Sequence, residues 1–196
     1  MTSGAVGATI IRHATAADAA LLARFAESAF VDTFGSDNTP ENMAAYVGEA
    51  FGETRQRAEI ADPRLTFFLA ERQGELAGYA ALCEGDPPEA VRAALARAGD
   101  ESTVGAIEIL RLYAGRRWLG AGIGSALMQR CLDEAVSRRR RVVWLGVWER
   151  NARAIAFYRR WGFTDVGAQP FVLGTDLQTD RIMSRPVLTE SACGIR

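Results

Sequence analysis

The chain has 196 residues with 24 acids and 23 bases, and every base is arginine; no lysine occurs anywhere. With 48% apolar and 24% charged residues, a net charge of -1 and a pI of about 5.9, it reads as one soluble globular domain, not as a disordered chain or a general nucleic-acid binder. No stretch approaches the ~18 apolar residues of a membrane span, and no basic start followed by an apolar run marks a signal peptide. Cys83, Cys131 and Cys193 are odd in number and far apart, so they form neither a disulfide framework nor a zinc pattern, and a reducing cytoplasm is the expected home.

Ala8 to His13 is expected to be a strand. Thr15 with Asp18 three residues on is a capping-box variant that opens a helix carrying Leu21, Leu22, Phe25, Ala29 and Phe30 at helical spacing. Thr39-Pro40 starts a second helix with Met43, Tyr46, Val47 and Phe51. A short polar helix follows near Thr54 to Ala61. Leu65 to Ala70 and Leu76 to Leu82 read as a hairpin turning at Gln73-Gly74. Gly85 to Ser102, with Pro87-Pro88 and many alanines, reads as an insertion holding one short helix. A strand from Ala106 to Ala114 is expected next, then a glycine loop running into a helix over Gly120 to Arg138. Beyond it come a strand at Val142 to Val147 and a helix at Asn151 to Trp161. Phe163 to Leu173 and Arg181 to Pro186 are the closing strands. Residues 8–187 are taken as one domain and 188–196 as a loose tail.

The near-neutral charge conceals a separation. Met1 to Leu110 holds 8 Arg and 17 acids, whereas Arg111 to Arg160 holds 12 Arg and 3 acids. Phe25 to Glu53 has six acids and no base, and Arg138 to Arg141 are four consecutive arginines. Such sorting suits an anionic ligand on one part and a cationic one on another, or solvated faces that merely differ in sign.

After the strand ending at Ala114 comes Leu119-Gly120-Ala121-Gly122-Ile123-Gly124-Ser125. Alternate glycines leave bare backbone at a helix N-terminus, where unpaired N–H groups and the helix dipole favour an anion. Arg116 and Arg117 stand close enough in sequence to add charge-assisted contacts. Without a Gly-Lys-Ser/Thr the loop is not a P-loop. Gly120, Gly122 and Ser125 nearly fit a dinucleotide fingerprint, but Glu149 is late for its acidic residue and too little chain follows for a second half.

The loop together with Asn151, Ala154, Tyr158, Gly162 and Phe163 resembles the GNAT superfamily of N-acetyltransferases, whose pattern is Gln/Arg-x-x-Gly-x-Gly/Ala opening a helix, then a strand, then Asn-x-x-Ala-x-x-x-Tyr-x-x-x-Gly-Phe. Leu119 departs from the usual Gln/Arg. Segments Phe30 to Phe34, Pro40 to Met43 with Tyr46, Trp144 to Glu149 and Gln178 to Asp180 are similar to PaiA-type polyamine (spermidine/spermine) N-acetyltransferases. The resemblance implies an α/β (α+β) GNAT fold with a mixed sheet of about seven strands, helices on both faces and two splayed strands beside the coenzyme. It implies transfer of an acetyl group from acetyl-coenzyme A directly to a primary amine, with no metal.

On this resemblance, Leu112, Tyr113 and Ala114 meet the pantetheine arm, and Arg117, Leu119, Gly120, Ala121, Gly122, Ile123, Gly124 and Ser125, with Asn151, meet the coenzyme. Glu108 stands at the family's general-base position and Tyr158 at its general acid. A base is needed because an alkyl amine with pKa near 10.4 is neutral in only about one molecule in 2,500 at pH 7. Asn151 is also a plain helix N-cap. Arg138 to Arg141 fit simple solvation at a helix end better than a coenzyme phosphate, and His13 is read as structural. The acidic early helices frame the acceptor side in this family, so Asp32, Glu41 and Glu149 become candidate contacts for a cationic amine, with Phe34 and Tyr46 as walls. A polyamine, another small amine or a protein N-terminus fits these residues, as does a regulatory module that binds acetyl-coenzyme A without turnover. The expected partner is a small-molecule amine, not nucleic acid or membrane, and the resemblance admits a homodimer.

Overall fold

The computed structural model describes residues 7–97 and 105–187. The elements, in chain order, are β1 (Ile10–His13), α1 (Ala19–Phe34), α2 (Pro40–Ala50), α3 (Glu53–Ala61), β2 (Leu65–Arg72), β3 (Glu75–Cys83), α4 (Glu89–Arg97), β4 (Ala106–Ala114), α5 (Ile123–Ser137), β5 (Val142–Trp148), α6 (Ala152–Arg160), β6 (Thr164–Leu173) and β7 (Asp176–Pro186). The seven strands form a sheet in the order β1-β2-β3-β4-β5-β7-β6, antiparallel at β1–β2 and β5–β7 and parallel at β4–β5. The expected mixed α/β sheet is therefore present. The last nine residues, with Cys193, and residues 98–104 of the insertion and its exit lie outside the described residues.

Contacts group the chain into two units. The first holds residues up to Leu82, Arg111–Arg130 and Val172–Asp176. Its helix α1 follows a single tight turn in which the Asp18 carboxylate accepts from the Thr15 N–H at 2.7 Å, the capping chemistry expected from sequence. The buried stripe of α1 is Ala19, Leu22, Ala23, Ala26, Ala29 and Phe30, at helical period. Leu21, expected on this face, is instead 39% exposed, because Ala19, Ala23, Ala26 and Ala29 occupy the buried stripe beside Leu22 and Phe30. Phe67 to Ala70 and Ala77 to Leu82 are buried without alternation, as in strands covered on both faces. The hairpin between them turns on Gln73 (φ 55°) and Gly74 (φ 78°), a pair of left-handed residues that matches the strand twist.

Gly78 of β3 brings the glycine loop's helix onto the sheet. A β-carbon there would meet Ile123 Cγ2 at 2.6 Å, the Tyr113 carbonyl oxygen at 2.7 Å and Leu127 Cδ1 at 3.0 Å. One of these is backbone, so side-chain rotation alone gives no relief. We expect Gly78→Ala to lower unfolding stability by about 1–3 kcal/mol in urea titration and to weaken anion binding at the glycine loop, since the first turn of α5 is displaced. A variant with both properties of wild type would contradict this role.

The second unit holds Cys83–Leu110, Cys131–Phe171 and the described part of Leu177–Arg196. Here α4, the helix of the insertion, packs Ala90, Val91 and Leu95 against Ala106, Val142, Trp144, Val166 and Ile182. Gly167 of β6 makes that approach feasible, because a β-carbon there would meet Ala90 Cβ at 2.6 Å. β7 begins at Asp176, five residues before the expected start at Arg181; the register carries Asp180 opposite Trp148 and Arg181 opposite Val147, so polar residues extend a strand that their own propensities would end.

Candidate active site

In the first unit, Gly120 and Gly122 adopt φ of 81° and 85°, the left-handed region that non-glycine residues rarely enter. The Ala121 carbonyl accepts from Arg72 Nη1 at 2.8 Å, which pins the loop. The Ala126 N–H closes the first helical turn on the Gly122 carbonyl at 2.9 Å. The N–H groups of Ile123, Gly124 and Ser125 therefore precede the helical ladder, at the end where the dipole favours an anion. This donor set suits a diphosphate, and it needs no side chain at Leu119, which is 41% exposed. The two neighbouring arginines are already engaged: Arg117 pairs with Glu75 at 2.5 Å and lies over the Trp118 ring, and Arg116 stands 3.8 Å from Asp32. Leu112, Tyr113 and Ala114 are partly exposed on β4.

The proposed walls of the acceptor side meet within this unit. Phe30 stacks on Tyr46, with centroids 4.7 Å apart, and tilts against Phe34 at 4.6 Å and Phe51 at 5.3 Å. Asp32 and Glu41 remain exposed. The β6–β7 turn docks on α2: Asn42 Oδ1 accepts from the Thr175 N–H and hydroxyl at 3.0 and 3.1 Å. Beneath lies a polar pair that the sequence reading did not single out. Arg111 donates to both Glu59 oxygens, at 2.5 and 3.2 Å. Burial pushes the Glu59 carboxyl up, and the Arg111 guanidinium more than offsets it, holding it below the usual range. The nearby Tyr79 hydroxyl is wholly buried, stacked on Tyr113, and bonds to none of the described residues; burial raises its pKa. His13 packs against Phe68 and meets Arg130 at 3.2 Å, in keeping with a structural role.

In the second unit, Asn151 caps α6: its Oδ1 accepts from the Ala154 N–H at 3.0 Å. One turn on, Tyr158 is 8% exposed and packs edge-on against Phe157 and Phe163. Burial raises its pKa, with the Cys131 thiol adding to the shift, so the phenol remains a proton donor at neutral pH.

Glu108 lies on β4 between Ala106 and Leu110, on the face opposite the buried Ile107 and Ile109. The parallel pairing of β4 with β5 runs from Ala106–Val142 to Glu108–Trp144 and goes no further. Apolar cover from α4 sits on Ala106 and Trp144, the two neighbours of Glu108 on that face. Its carboxyl has no hydrogen bond or ion pair with any described residue, and burial alone pushes its pKa up to about 7. Glu149 is exposed at the end of β5, where its N–H donates to the Thr179 carbonyl.

Half of the arginine run is tied down by ion pairs, whereas Arg139 and Arg141 are exposed, as solvation predicts. Arg138 pairs with Glu134 and Glu84, and Arg140 with the same Glu84 oxygen at 2.7 Å. Glu84 is far away in sequence, so this partner could not be read from the run itself. Asp180, not singled out from the sequence, sits among the alternating residues of β7, and burial raises its pKa to about 6. Among the described residues, no group of His, Cys, Asp and Glu is arranged to hold a metal ion.

Likeness to known proteins identifies the family. The family model described as "Acetyltransferase (GNAT) family" matches residues 28–163. An uncharacterised N-acetyltransferase of Lactobacillus delbrueckii subsp. lactis is 33% identical over 159 residues, 81% of this chain and 86% of that protein. Another from Mycobacterium tuberculosis is 30% identical over 149 residues, 76% and 85% of the two chains. In fold, the chain is similar to the PaiA N-acetyltransferase of Thermoplasma acidophilum, solved with coenzyme A, with a TM-score of 0.70 at 18% identity over 91% of this chain and 99% of that one. The chain belongs to the GNAT family of acetyltransferases.

Proposed function

We propose that the protein moves the acetyl group of acetyl-coenzyme A directly to a primary amine, and that the amine is a cation of the polyamine class. The observation that carries the reading is Glu108: a partly buried carboxyl, without a partner on the described chain, whose pKa stands at about 7. A base poised near the working pH is what removal of an ammonium proton requires. The open N–H groups of Ile123, Gly124 and Ser125 would hold the diphosphate, with Asn151 and the β4 residues Leu112 to Ala114 as further contacts.

Acetyl-coenzyme A supplies a thioester, so the acyl carbon is already activated toward a neutral amine. Glu108 accepts the proton that the amine must lose, directly or through one water. Tyr158 donates a hydrogen bond to the sulfur as negative charge grows there. Its pKa lies above a thiol's, so the gain comes from a bond that strengthens with charge rather than from complete proton transfer. The acidic stretch of α1 and α2, with Asp32 and Glu41 exposed, attracts a polyvalent cation at low ionic strength. Phe34 and Tyr46, joined through Phe30, offer it an apolar wall.

Thiol release from acetyl-coenzyme A with spermidine, spermine, monoamines and a peptide N-terminus is the direct test. Preferred turnover of the polyamines supports the whole reading; preferred turnover of the peptide or a monoamine sinks the polyamine part. Tight calorimetric binding of acetyl-coenzyme A with no turnover on any amine would instead establish a binding module.

A further inference from the structure

The face of the second unit that carries Glu108 also carries a glycine, Gly146, overlaid by polar side chains. Trp144, Gly146 and Trp148 of β5 share that face by alternation, and Glu108 is the register partner of Trp144. Opposite them on β7 stand Ser184, Ile182 and Asp180. Between two tryptophans Gly146 contributes no side chain, and polar atoms lie over it: a β-carbon at Gly146 would meet Asp180 Oδ2 and Gln169 Nε2, each at 3.2 Å. A carboxylate and an amide thus lean over bare backbone one pleat, about 7 Å, along β5 from the row of Glu108. Arg181, next on β7, points to the other face and pairs with Asp165 at 2.8 Å. Asp180 itself has no hydrogen bond or ion pair with a described residue.

We infer that Asp180, held above Gly146 beside the Gln169 amide, is the specificity-determining residue that seats a second ammonium group of the acceptor. The inference rests on the proposed reaction, with Glu108 at the reacting nitrogen. A partly buried carboxylate without a counter-ion is costly, and an arriving cation offsets that cost. Burial pushes Asp180 up to about 6, so it remains mainly ionised at neutral pH and answers to a positive group. Trp148, its register partner, already carries the Arg150 guanidinium over its ring at 5.8 Å, which shows that this ring accepts a cation. A monoamine would leave this seat unused, whereas a diamine of suitable length would fill it.

Thiol release is measured with hexamethylenediamine and with n-hexylamine, and hexamethylenediamine binding is followed by calorimetry with coenzyme A present. Wild type is expected to favour the diamine in kcat/KM. Asp180→Asn keeps the shape and removes the charge; it should lower that preference about 10- to 100-fold, mainly through KM for the diamine. Asp180→Glu should recover part of it, and Gly146→Ala, which keeps the carboxylate but displaces it and the Gln169 amide from their place over the strand, should lower it as well. These two variants give the same readout if Asp180→Asn does not fold. A diamine preference and diamine binding that survive in the variants overturn the inference even if acetyl transfer is sound. Diamine binding that depends on Asp180 in a protein without turnover supports the seat and overturns the proposed reaction instead. A wild type that neither binds nor prefers the diamine overturns the seat.

Discussion

Tyr158→Phe should lower kcat by about a hundred- to ten-thousandfold while leaving acetyl-coenzyme A affinity nearly unchanged. The expectation rests on what the substitution spares. The ring of Tyr158 packs on Phe157 and Phe163, and phenylalanine preserves both contacts. The hydroxyl forms no hydrogen bond with a described residue, so its removal leaves no protein group stranded. The loss should therefore fall on the sulfur's developing charge and not on folding. Pre-steady-state thiol release and calorimetry of acetyl-coenzyme A separate the two. Undiminished turnover would remove Tyr158 from the reaction.

Glu108→Gln should remove the base and, at the same time, stabilise the fold. Wild-type kcat/KM is expected to rise with pH through an ionisation near 7, because the carboxyl works only when deprotonated and burial places its pKa there. The glutamine variant should lose that limb along with about a hundred- to ten-thousandfold in rate. The stability effect has a definite sign. The folded pKa of Glu108 is raised from 4.5 to about 7, so ionising it costs the folded state more than the unfolded state. That cost is absent below 4.5, grows between 4.5 and 7, and is complete above 7. At pH 8, Glu108→Gln should gain on the order of 1–3 kcal/mol over wild type, and at pH 4 little. Thermal melts at the two pH values, beside the pH–rate profile, check both halves. A variant with the wild-type ionisation limb would exclude Glu108 as the base.

What the sequence made legible was local. The glycine loop declares itself because left-handed backbone at Gly120 and Gly122 leaves glycine as the natural occupant, and the cap of α6 because Asn151 bonds a neighbour three residues on. The capping chemistry at Thr15 and Asp18 and the turn at Gln73-Gly74 were readable for the same reason. Glu108 and Tyr158 are candidates through spacing relative to a motif, not through any property of their own surroundings that the sequence displays. What stayed hidden depended on distant partners. Arg138 and Arg140 of the arginine run are tied to Glu84, the Arg111 guanidinium to Glu59, and the docking of α5 to the missing side chain of Gly78. Each needs the fold before it has a meaning. Asp180 was hidden by a strand boundary: with β7 expected to begin at Arg181, its side chain had no assigned face. Leu21 failed for the converse reason, since helical spacing alone does not say that alanines will occupy the buried stripe.

The insertion helix α4 adds a consequence for how the acidity of the reaction is encoded. Its apolar side lies on Ala106 and Trp144, so part of what keeps water from Glu108 is a segment spliced between two strands of the sheet. Local polarity near the carboxyl is thus written in Ala90, Val91 and Leu95, residues remote from any reacting atom. Under the proposed reaction, with Glu108 as base, the helix would be a dielectric dial: a thicker or thinner roof would reset the pH dependence of acetyl transfer while the glycine loop stays as it is.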